Sequence, residues 1–312
     1  MASLLGSSDP EQLDFLVRAA AFEFLSQQVQ LHGDSIPRRV LEKGFLYADW
    51  RVPLLGPQGI FKPAILDTPL SITTVPMVEG VPRPYEDDVS YDGLILYRYR
   101  GQDPQHPDNR GLRRAMERKI PLIYFYGTVP GRYVPSFPCY IVGDNPRTLT
   151  FSVAVDDPKA LLNTHTETRE TAVDARRQYI TVTTRQRLHQ RSFRERVLRA
   201  YQEQCAICRL RHHELLEAAH ILPDNHPQGE PTIDNGIALC KIHHAAYDRH
   251  ILGIRPDLVV ELRLDILKEI DGPMLKYGLQ EFHGAIVTIP RRPGLRPNPK
   301  FLEERYALFK SA

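Results

Sequence analysis

Residues 205–250 contain the side chains whose types and spacing could do chemistry. Cys205 and Cys208 are spaced C-x₂-C, and Cys240 forms a C-x₂-H pair with His243. Two such tight corners supply four soft or borderline ligands, the usual arrangement for tetrahedral zinc. We therefore expect a structural Zn²⁺ site here, with four unconnected buried residues as the alternative. A disulfide is disfavoured because no feature marks the chain as secreted.

Three further polar residues of this stretch are harder to explain as scaffolding. His220 lies near the end of the apolar run LLEAAHILP, which predicts a short strand ending at Pro223. A loop rich in turn-forming residues then leads to Asn235, and the segment NGIALCKIHHAAYDRHIL predicts a turn into a helix. On that helix the adjacent His243 and His244 project about 100° apart, so they are not expected to bind the same ion. The C-x₂-H spacing favours His243 for zinc.

The order His220, Asn235, His244 inside a zinc-binding frame resembles the HNH nucleases, which have the ββα-metal fold, and the resemblance covers residues 200–260. It implies that His220 is the general base that activates water and that Asn235 orients this base or contacts a metal. It also implies that His244 binds a catalytic divalent ion, Mg²⁺ or another such as Mn²⁺. A neutral imidazole can accept a proton near pH 7, and a divalent ion neutralises charge on the scissile phosphate and its leaving oxygen.

The position directly before the expected base departs from many HNH nucleases, which carry Asp or His there as a metal ligand. This chain has Ala219. The ion would then be held by His244 and Asn235 with substrate oxygens, or by another acid. Glu217, on the same strand face as Ala219, and Asp248, one helical turn after His244, are candidates for a ligand or for a residue that supports one. A degenerate site kept as a zinc-bound DNA-binding module is the alternative.

The chain before this motif changes from helical to β-type patterning. Residues 9–31 predict an amphipathic helix with Pro10 in its first turn, and residues 37–45 predict a second, short helix. Short apolar runs separated by Pro and Gly dominate residues 50–155 and predict a compact, mostly β domain, a partly closed barrel. Cys139, the cysteine outside the zinc motif, is expected in its core.

A run of aromatic and acidic residues lies within the predicted β domain. Tyr85-Glu86-Asp87-Asp88-Val89 is followed, after a short segment, by Tyr99-Arg100-Gly101. By composition alone the tyrosines would be core or surface aromatics and the acids a solvated turn. The string is nevertheless similar to the SRA (YDG) domain, a PUA-like β-barrel that binds modified cytosine in DNA, and the similarity covers residues 45–155.

The SRA resemblance implies base flipping. The target cytosine would lie between the rings of Tyr85 and Tyr99, and Asp88 would accept a hydrogen bond from its exocyclic amino group. Stacking worth about 1–3 kcal/mol per base would help to offset the cost of unstacking. Arg100 stands where the family commonly has a small hydroxyl residue, which leaves the preferred 5-substituent open.

Arginine is concentrated in two segments that could contact phosphates. The first surrounds the SRA-like motif, and its members are Arg98, Arg100, Arg110, Arg113 and Arg114. The second runs through residues 156–204, and its members are Arg176, Arg177, Arg185, Arg187, Arg191, Arg194, Arg196 and Arg199. From Ser192 onward the apolar spacing predicts a helix that packs on the zinc module. We favour its arginine face lying on the DNA backbone over a solvated face.

Composition bounds the class of protein. The chain has 312 residues, 42% of them hydrophobic and 25% charged, with a formal net charge of +2, so charge alone does not announce a nucleic-acid binder. Neither a signal peptide nor an apolar run long enough for a membrane span is evident. We expect a cytoplasmic protein without a membrane partner.

The sequence as a whole predicts an α+β protein. An SRA/PUA-like β-barrel with flanking helices is expected over residues 1–160, an arginine-rich helical linker over 161–200, and a zinc-bound ββα-metal HNH domain over 201–312, with a strand pair and a last short helix after the motif. The paired resemblances imply a prokaryotic modification-dependent restriction endonuclease that cuts double-stranded DNA carrying 5-methyl- or 5-hydroxymethylcytosine, as a homodimer if both strands are cut. An HNH nuclease without modification dependence and a non-cleaving modified-DNA-binding protein are the alternatives.

Overall fold

The computed structural model describes residues 9–76, 94–156 and 170–312, and it divides into two compact units. The N-terminal unit comprises Met1–Arg191 and the C-terminal unit Ser192–Ala312. None of the helices in the described ranges combines the length and the hydropathy that a membrane-spanning segment requires.

The N-terminal unit combines helices with one large sheet. Its helices are α1 (Pro10–His32), α2 (Arg38–Lys43), α3 (Pro107–Glu117) and the first part of α4 (Glu170–Ala200). Its strands are β1 (Ile36–Pro37), β2 (Phe45–Tyr47), β3 (Trp50–Val52), β4 (Ile60–Phe61), β5 (Ser71–Thr73), β6 (Ile95–Arg98), β7 (Leu122–Val129), β8 (Arg132–Asn145) and β9 (Thr150–Val155). Strands β2 and β3 form a separate hairpin.

The first two predicted helices are confirmed. The Asp9 carboxylate accepts a hydrogen bond from the Glu11 amide at 3.0 Å, Pro10 occupies the first turn, and the helix ends before Gly33, whose φ is 71°. This cap and this stop are those expected from the residue types, because a side-chain oxygen satisfies a free amide and glycine tolerates positive φ. Helix α3 was not predicted from the sequence, although His106 caps it and Pro107 opens it.

The main sheet has the strand order β4-β5-β7-β8-β9-β6, and β1 pairs with β8. Strands β5 and β7 are parallel, and the other neighbours are antiparallel. The predicted mostly β domain is therefore present as a mixed sheet, while closure into an SRA-type barrel is not shown by the described strands. Cys139 on β8 is buried in the core of this sheet, as predicted.

The C-terminal unit is built around the chemistry-bearing stretch. The end of α4 precedes β10 (Leu216–His220), β11 (Gly236–Cys240) and α5 (Lys241–Asp248). The remaining elements are β12 (Leu252–Ile254), β13 (Val260–Leu262), α6 (Leu264–Lys268), α7 (Pro273–Gly278) and α8 (Pro299–Ser311). The predicted strand pair after the motif and the final helix are confirmed.

The turn predicted before α5 is wrong, because residues 236–240 form strand β11. It pairs antiparallel with β10 in a register that places His220 opposite Gly236. All five residues of β11 are buried. A short, wholly apolar run has no alternation to identify it as a strand. The result is a β-hairpin followed by a helix.

The last turns of α4 pack into the core of this unit, as predicted. Phe193, Val197 and Leu198 are all buried against β10, β11 and their neighbours. The helix starts much earlier than Ser192, at Glu170, so it supplies packing residues to both units.

Candidate active site

The two cysteine-containing corners come together in the C-terminal unit. One ligand atom each from Cys205, Cys208, Cys240 and His243 lies within 4.8 Å of the others. The Nδ1 atom of His243 is 3.2 Å from Sγ of Cys240 and 3.5 Å from Sγ of Cys205. Three sulfurs and one imidazole nitrogen at this separation fit a tetrahedral zinc ion, and the cluster could bind zinc.

The electrostatics of this cluster also suit a cation. Hydrogen bonds from Cys205 and then Cys208 lower the pKa of Cys240. Burial lowers the pKa of His243, but contacts with Cys205 and Cys240 outweigh it and raise that pKa to about 9. Thiolate character at Cys240 is what a metal ligand requires.

His244 faces away from the zinc cluster, as the helical spacing predicts. Its Nδ1 atom lies 2.7 Å from Oε2 of Glu217 on β10, and its Nε2 atom lies 3.2 Å from Oδ2 of Asp248 on α5. Hydrogen bonding with Asp248 and then Glu217 raises the pKa of His244 against the effect of burial, and the His244 hydrogen bond lowers the pKa of Asp248. Both acids that the sequence offered as metal ligands or supports thus contact His244.

This second cluster has the donor types for a hard divalent ion. Carboxylate oxygens from Glu217 and Asp248 with an imidazole nitrogen from His244 suit Mg²⁺ or Mn²⁺, Mn²⁺ accepting nitrogen more readily. In the structure the two nitrogens of His244 contact different carboxylates, so the ring bridges the two acids. The three side chains therefore match such an ion in donor type, while Glu217 and Asp248 lie on opposite sides of the imidazole ring and do not converge on one point with it.

His220 lies at the end of β10, half-buried, with its ring stacked on another aromatic ring. The centroids of His220 and Phe193 are 4.1 Å apart, and the ring planes are inclined by 16°. The Oδ1 atom of Asp224 lies 3.0 Å from Nε2 of His220. Burial lowers the pKa of His220, Asp224 raises it, His244 lowers it and Asp248 raises it, with burial the largest effect. The ring is therefore held neutral, and it responds to the charge of both His244 and Asp248.

Asn235 is fully buried and bound to the backbone of the preceding loop. Its Oδ1 atom accepts a hydrogen bond from the Leu222 amide at 2.9 Å, and its Nδ2 atom donates to the carbonyls of Leu222 and Glu230, each at 3.0 Å. These bonds hold the loop that carries Asp224. The side-chain amide thus has partners for both its oxygen and its nitrogen in the protein itself.

Two of the three predicted base-binding residues, Tyr85 and Asp88, lie outside the described residues. The third, Tyr99, is 4% exposed and belongs to the core of the sheet. Its ring stacks on Phe151 with centroids 4.5 Å apart. Its hydroxyl donates to Asp144 and accepts from Nη2 of Arg113 at 3.3 Å, and burial raises its pKa.

A cavity of about 270 Å³ lies beside Tyr99. Its walls come from β4 and β6, which are the two edge strands of the main sheet, and from the end of β5. The lining includes Gln58, Thr74, Tyr97 and Arg100. The guanidinium of Arg100 donates to Gln58 and to Asp108. This volume is close to the lower limit of about 300 Å³ typical of small-molecule sites.

Many of the arginines predicted to face DNA have protein partners. The side chains of Arg113, Arg176, Arg177, Arg191, Arg194 and Arg196 contact Asp144, Asp156, Asp34, Glu195 or backbone carbonyls. Asp156, which binds both Arg176 and Arg177, is only 2% exposed. Arg187 and Arg199 on α4 are exposed and remain candidates for phosphate contacts.

Sequence reasoning missed two residues beside the expected base. Asp224 follows His220 by four positions inside a turn-rich loop, so an acid close after the histidine was the available signal. Phe193 was predicted to pack on the zinc module, but nothing in its spacing indicated a contact with the imidazole of His220. Both contacts depend on how the loop and α4 pack against β10.

One comparison with known proteins concerns the same stretch. Residues 205–255 match the family model described as HNH endonuclease. A comparison with curated proteins finds no match. Among solved structures, a chain described as "Modification dependent TagI restriction endonuclease" matches with 15% sequence identity and a TM-score of 0.28, covering 77% of this chain and 81% of that chain. Similarity at that level establishes neither a shared fold nor a shared function. The assignment therefore follows from the family match: the protein is a DNA endonuclease, a hydrolase that carries an HNH domain at residues 205–255.

Proposed function

We propose that the protein is a modification-dependent endonuclease, which reads modified cytosine with its N-terminal unit and cleaves DNA with its HNH domain. The main support for recognition of modified cytosine is the pair of SRA-like motifs at residues 85–89 and 99–101, in a chain that also has an HNH domain. The cavity beside Tyr99 supports it, because a flipped base needs a concave site. The biological role implied is defence against foreign modified DNA in a prokaryotic cytoplasm.

His220 acts as the general base in this proposal. Asp224 near Nε2 favours the tautomer with its proton on that nitrogen, which leaves the lone pair on Nδ1. His220 accepts a proton from water as the water oxygen bonds to phosphorus and the bond from phosphorus to the 3′ oxygen breaks. Burial keeps the imidazole neutral and so able to accept.

His244, Glu217 and Asp248 would hold the catalytic Mg²⁺ or Mn²⁺. When bound, such an ion supplies positive charge to the scissile phosphate and its leaving oxygen. The zinc cluster of Cys205, Cys208, Cys240 and His243 fixes the start of α5, so it positions His244 without taking part in the reaction. Asn235 acts on the base through the loop that it holds, since its amide bonds to the backbone at Leu222 and Glu230.

In the proposed recognition of modified cytosine, Tyr85, Asp88 and Tyr99 have the roles that the SRA resemblance implies. Tyr85 and Tyr99 enclose the extruded cytosine, and Asp88 accepts from its amino group. Double-stranded DNA with 5-methyl- or 5-hydroxymethylcytosine is the substrate. One HNH site cleaves one strand, so a double-strand break requires a homodimer or two binding events.

Matched plasmids with and without 5-methylcytosine test the proposal, each incubated with the zinc-loaded protein and Mg²⁺ or Mn²⁺. Selective cutting of the modified plasmid is expected. His220→Ala should abolish cutting and spare DNA binding, whereas Asp88→Ala should remove the preference and retain zinc. Retained cutting by His220→Ala would refute the base assignment, and binding to modified DNA without cutting in any divalent ion would leave only a DNA-binding role.

A second candidate function is HNH cleavage without modification dependence. The specific observation in its favour is the packing of Tyr99, whose ring is buried against Phe151 and whose hydroxyl bonds with Asp144 and Arg113. A ring committed to the core has little surface to offer a base. Equal cutting of the two plasmids would establish this candidate.

A further inference from the structure

Phe193 is the aromatic residue on which the proposed base rests. The two rings are nearly parallel, with centroids 4.1 Å apart and planes inclined by 16°. Phe193 is itself 2% exposed and belongs to the core of the C-terminal unit. A ring fixed in a close-packed core cannot rotate away, so it limits the orientations open to the imidazole stacked on it.

Gly236, in the strand paired with His220, leaves space for the ring of Phe193. In the antiparallel register His220 faces Gly236, the first residue of β11. A Cβ atom on Gly236 would lie 2.9 Å from Cζ of Phe193 and 2.5 Å from Cγ2 of Val197. Real Cβ atoms do not approach neighbours so closely, so the ring and its helix occupy their places because residue 236 has no side chain.

Charged groups also act on His220. Asp224 lies 3.0 Å from Nε2, while His244 and Asp248 act on the ring electrostatically. Phe193 adds an apolar surface beside them, and it contributes to the burial that lowers the pKa of the imidazole. The polar partners influence the proton on the ring, and the stacked phenyl group fixes the plane of the ring.

We propose that Phe193 is a positioning residue for DNA cleavage: its ring, admitted by Gly236, holds the imidazole of His220 in the plane from which it accepts a proton from the attacking water. This inference rests on the proposed role of His220 as general base. It makes the helix before the HNH motif part of the catalytic apparatus, through a residue that does not touch DNA.

Phe193→Leu tests the proposal, because it keeps an apolar side chain in the core and removes the flat face. We expect kcat for cleavage to fall by about ten- to a hundredfold, the scale of a misplaced catalytic group, with KM and DNA affinity within about twofold of the parent. The acid limb of the pH–rate profile should move up towards about 6.5, the value of free imidazole, because the ring becomes less well covered.

Val197→Ala is the matched control, since Val197 is fully buried one turn later on the same helix and faces the same strand. It should lower the melting temperature as much as Phe193→Leu does, yet leave kcat and the pH profile near the parent values at a temperature where all variants are folded. Equal losses of kcat in Val197→Ala and Phe193→Leu would overturn the proposal, as would a parent-like kcat and pH profile in Phe193→Leu. His220→Ala separates the two ideas, because cleavage retained by that variant would defeat the base assignment itself.

Discussion

Nδ1 of His244 lies 2.7 Å from Oε2 of Glu217, which joins the helix of the ββα module to its first strand. Glu217 sits two residues before Ala219, the position where many HNH nucleases carry an acid or histidine as a metal ligand. In the proposed site, Glu217 supplies this carboxylate from one strand repeat earlier, on the same face. Such a shift would allow alanine to stand next to the proposed base.

Glu217→Gln should weaken binding of the catalytic ion. The amide keeps the shape of the side chain and loses its negative charge, so the concentration of Mn²⁺ needed for half-maximal cleavage should rise by about 10- to 100-fold. Metal titrations of the cleavage rate measure this change. Glu214→Gln alters an exposed carboxylate three residues earlier and should leave the titration unchanged. An unchanged titration for Glu217→Gln would remove Glu217 from the proposed ion site.

Loss of one zinc ligand should unfold much of the C-terminal unit. Cys208→Ser replaces a thiolate with a poor zinc ligand, and structural zinc contributes its binding energy directly to folding, so a loss of several kcal/mol is expected. Bound zinc, measured by mass spectrometry, should fall from about one ion per chain to nearly none. Cys139→Ala is the control, because this buried cysteine lies in the other unit. A Cys208→Ser protein with full zinc content would contradict the proposed ligand set.

Cleavage should persist to pH values below the ordinary pKa of histidine. Burial is the largest influence on His220 and lowers its pKa, so the neutral, active form survives below about 6.5 and is lost only as the pH falls through the depressed value. Because the unfolded chain binds this proton more readily, stability should also decline as the pH drops below about 6.5. A pH–rate profile of kcat/KM at saturating Mn²⁺, where His244 is occupied by the ion, measures the pH at which activity is lost on the acid side. Loss of activity already at pH 7 or above would contradict the prediction.

Asp224→Asn should move that acid limb further down. The carboxylate of Asp224 raises the pKa of His220, so its removal lowers the pKa again, and the same change should reduce kcat if Asp224 orients the ring. Asp234→Asn, at the far end of the same loop, is a suitable control for the loss of one acidic charge. A limb that moves upward in Asp224→Asn would show that this carboxylate does not act on His220.

The parts of the site that the sequence could predict are local. The C-x₂-C and C-x₂-H spacings predicted the quartet around His243, and the helical period predicted that His244 faces elsewhere, because each pattern spans only a few residues. The contacts made by Asp224 and Phe193 could not be predicted in this way. They depend on a loop and a helix that meet β10 only after the unit has folded. Strand β11 was missed for a related reason, since a run buried on both faces carries no period of two.

The contacts of Asn235 also depend on tertiary structure. The sequence left open whether Asn235 contacts a metal or orients the base. The structure shows its side-chain amide hydrogen-bonded to the backbone at Leu222 and Glu230. Asn235→Ala would leave these buried groups without partners and should cost about 2–4 kcal/mol in free energy of unfolding. Denaturant unfolding measures this loss. Asn298→Ala removes only the cap of α8 and should cost about 1 kcal/mol. Full stability of Asn235→Ala would show that the loop is held by other contacts.

Substitutions of Tyr99 can separate a role in binding the flipped base from a role in stabilising the core. Its ring stacks on Phe151, and its hydroxyl lies between Asp144 and Arg113. Tyr99→Phe keeps the ring and deletes the hydroxyl, so it should cost about 1–3 kcal/mol of stability and leave the ratio of cutting on modified and unmodified plasmids unchanged. Asp144→Asn, which disturbs the same hydrogen bonds without touching the ring, should behave alike.

Tyr99→Leu removes the ring as well, and the two proposed functions then differ in what they predict. If Tyr99 covers one face of a flipped cytosine, the loss of about 1–3 kcal/mol of stacking should lower the cutting ratio by about 5- to 150-fold, even at a temperature where the variant is folded. If the ring serves only the core, the ratio should match that of Tyr99→Phe. The second outcome, together with equal cutting of both plasmids by the parent protein, would favour an HNH nuclease whose N-terminal unit does not select modified cytosine.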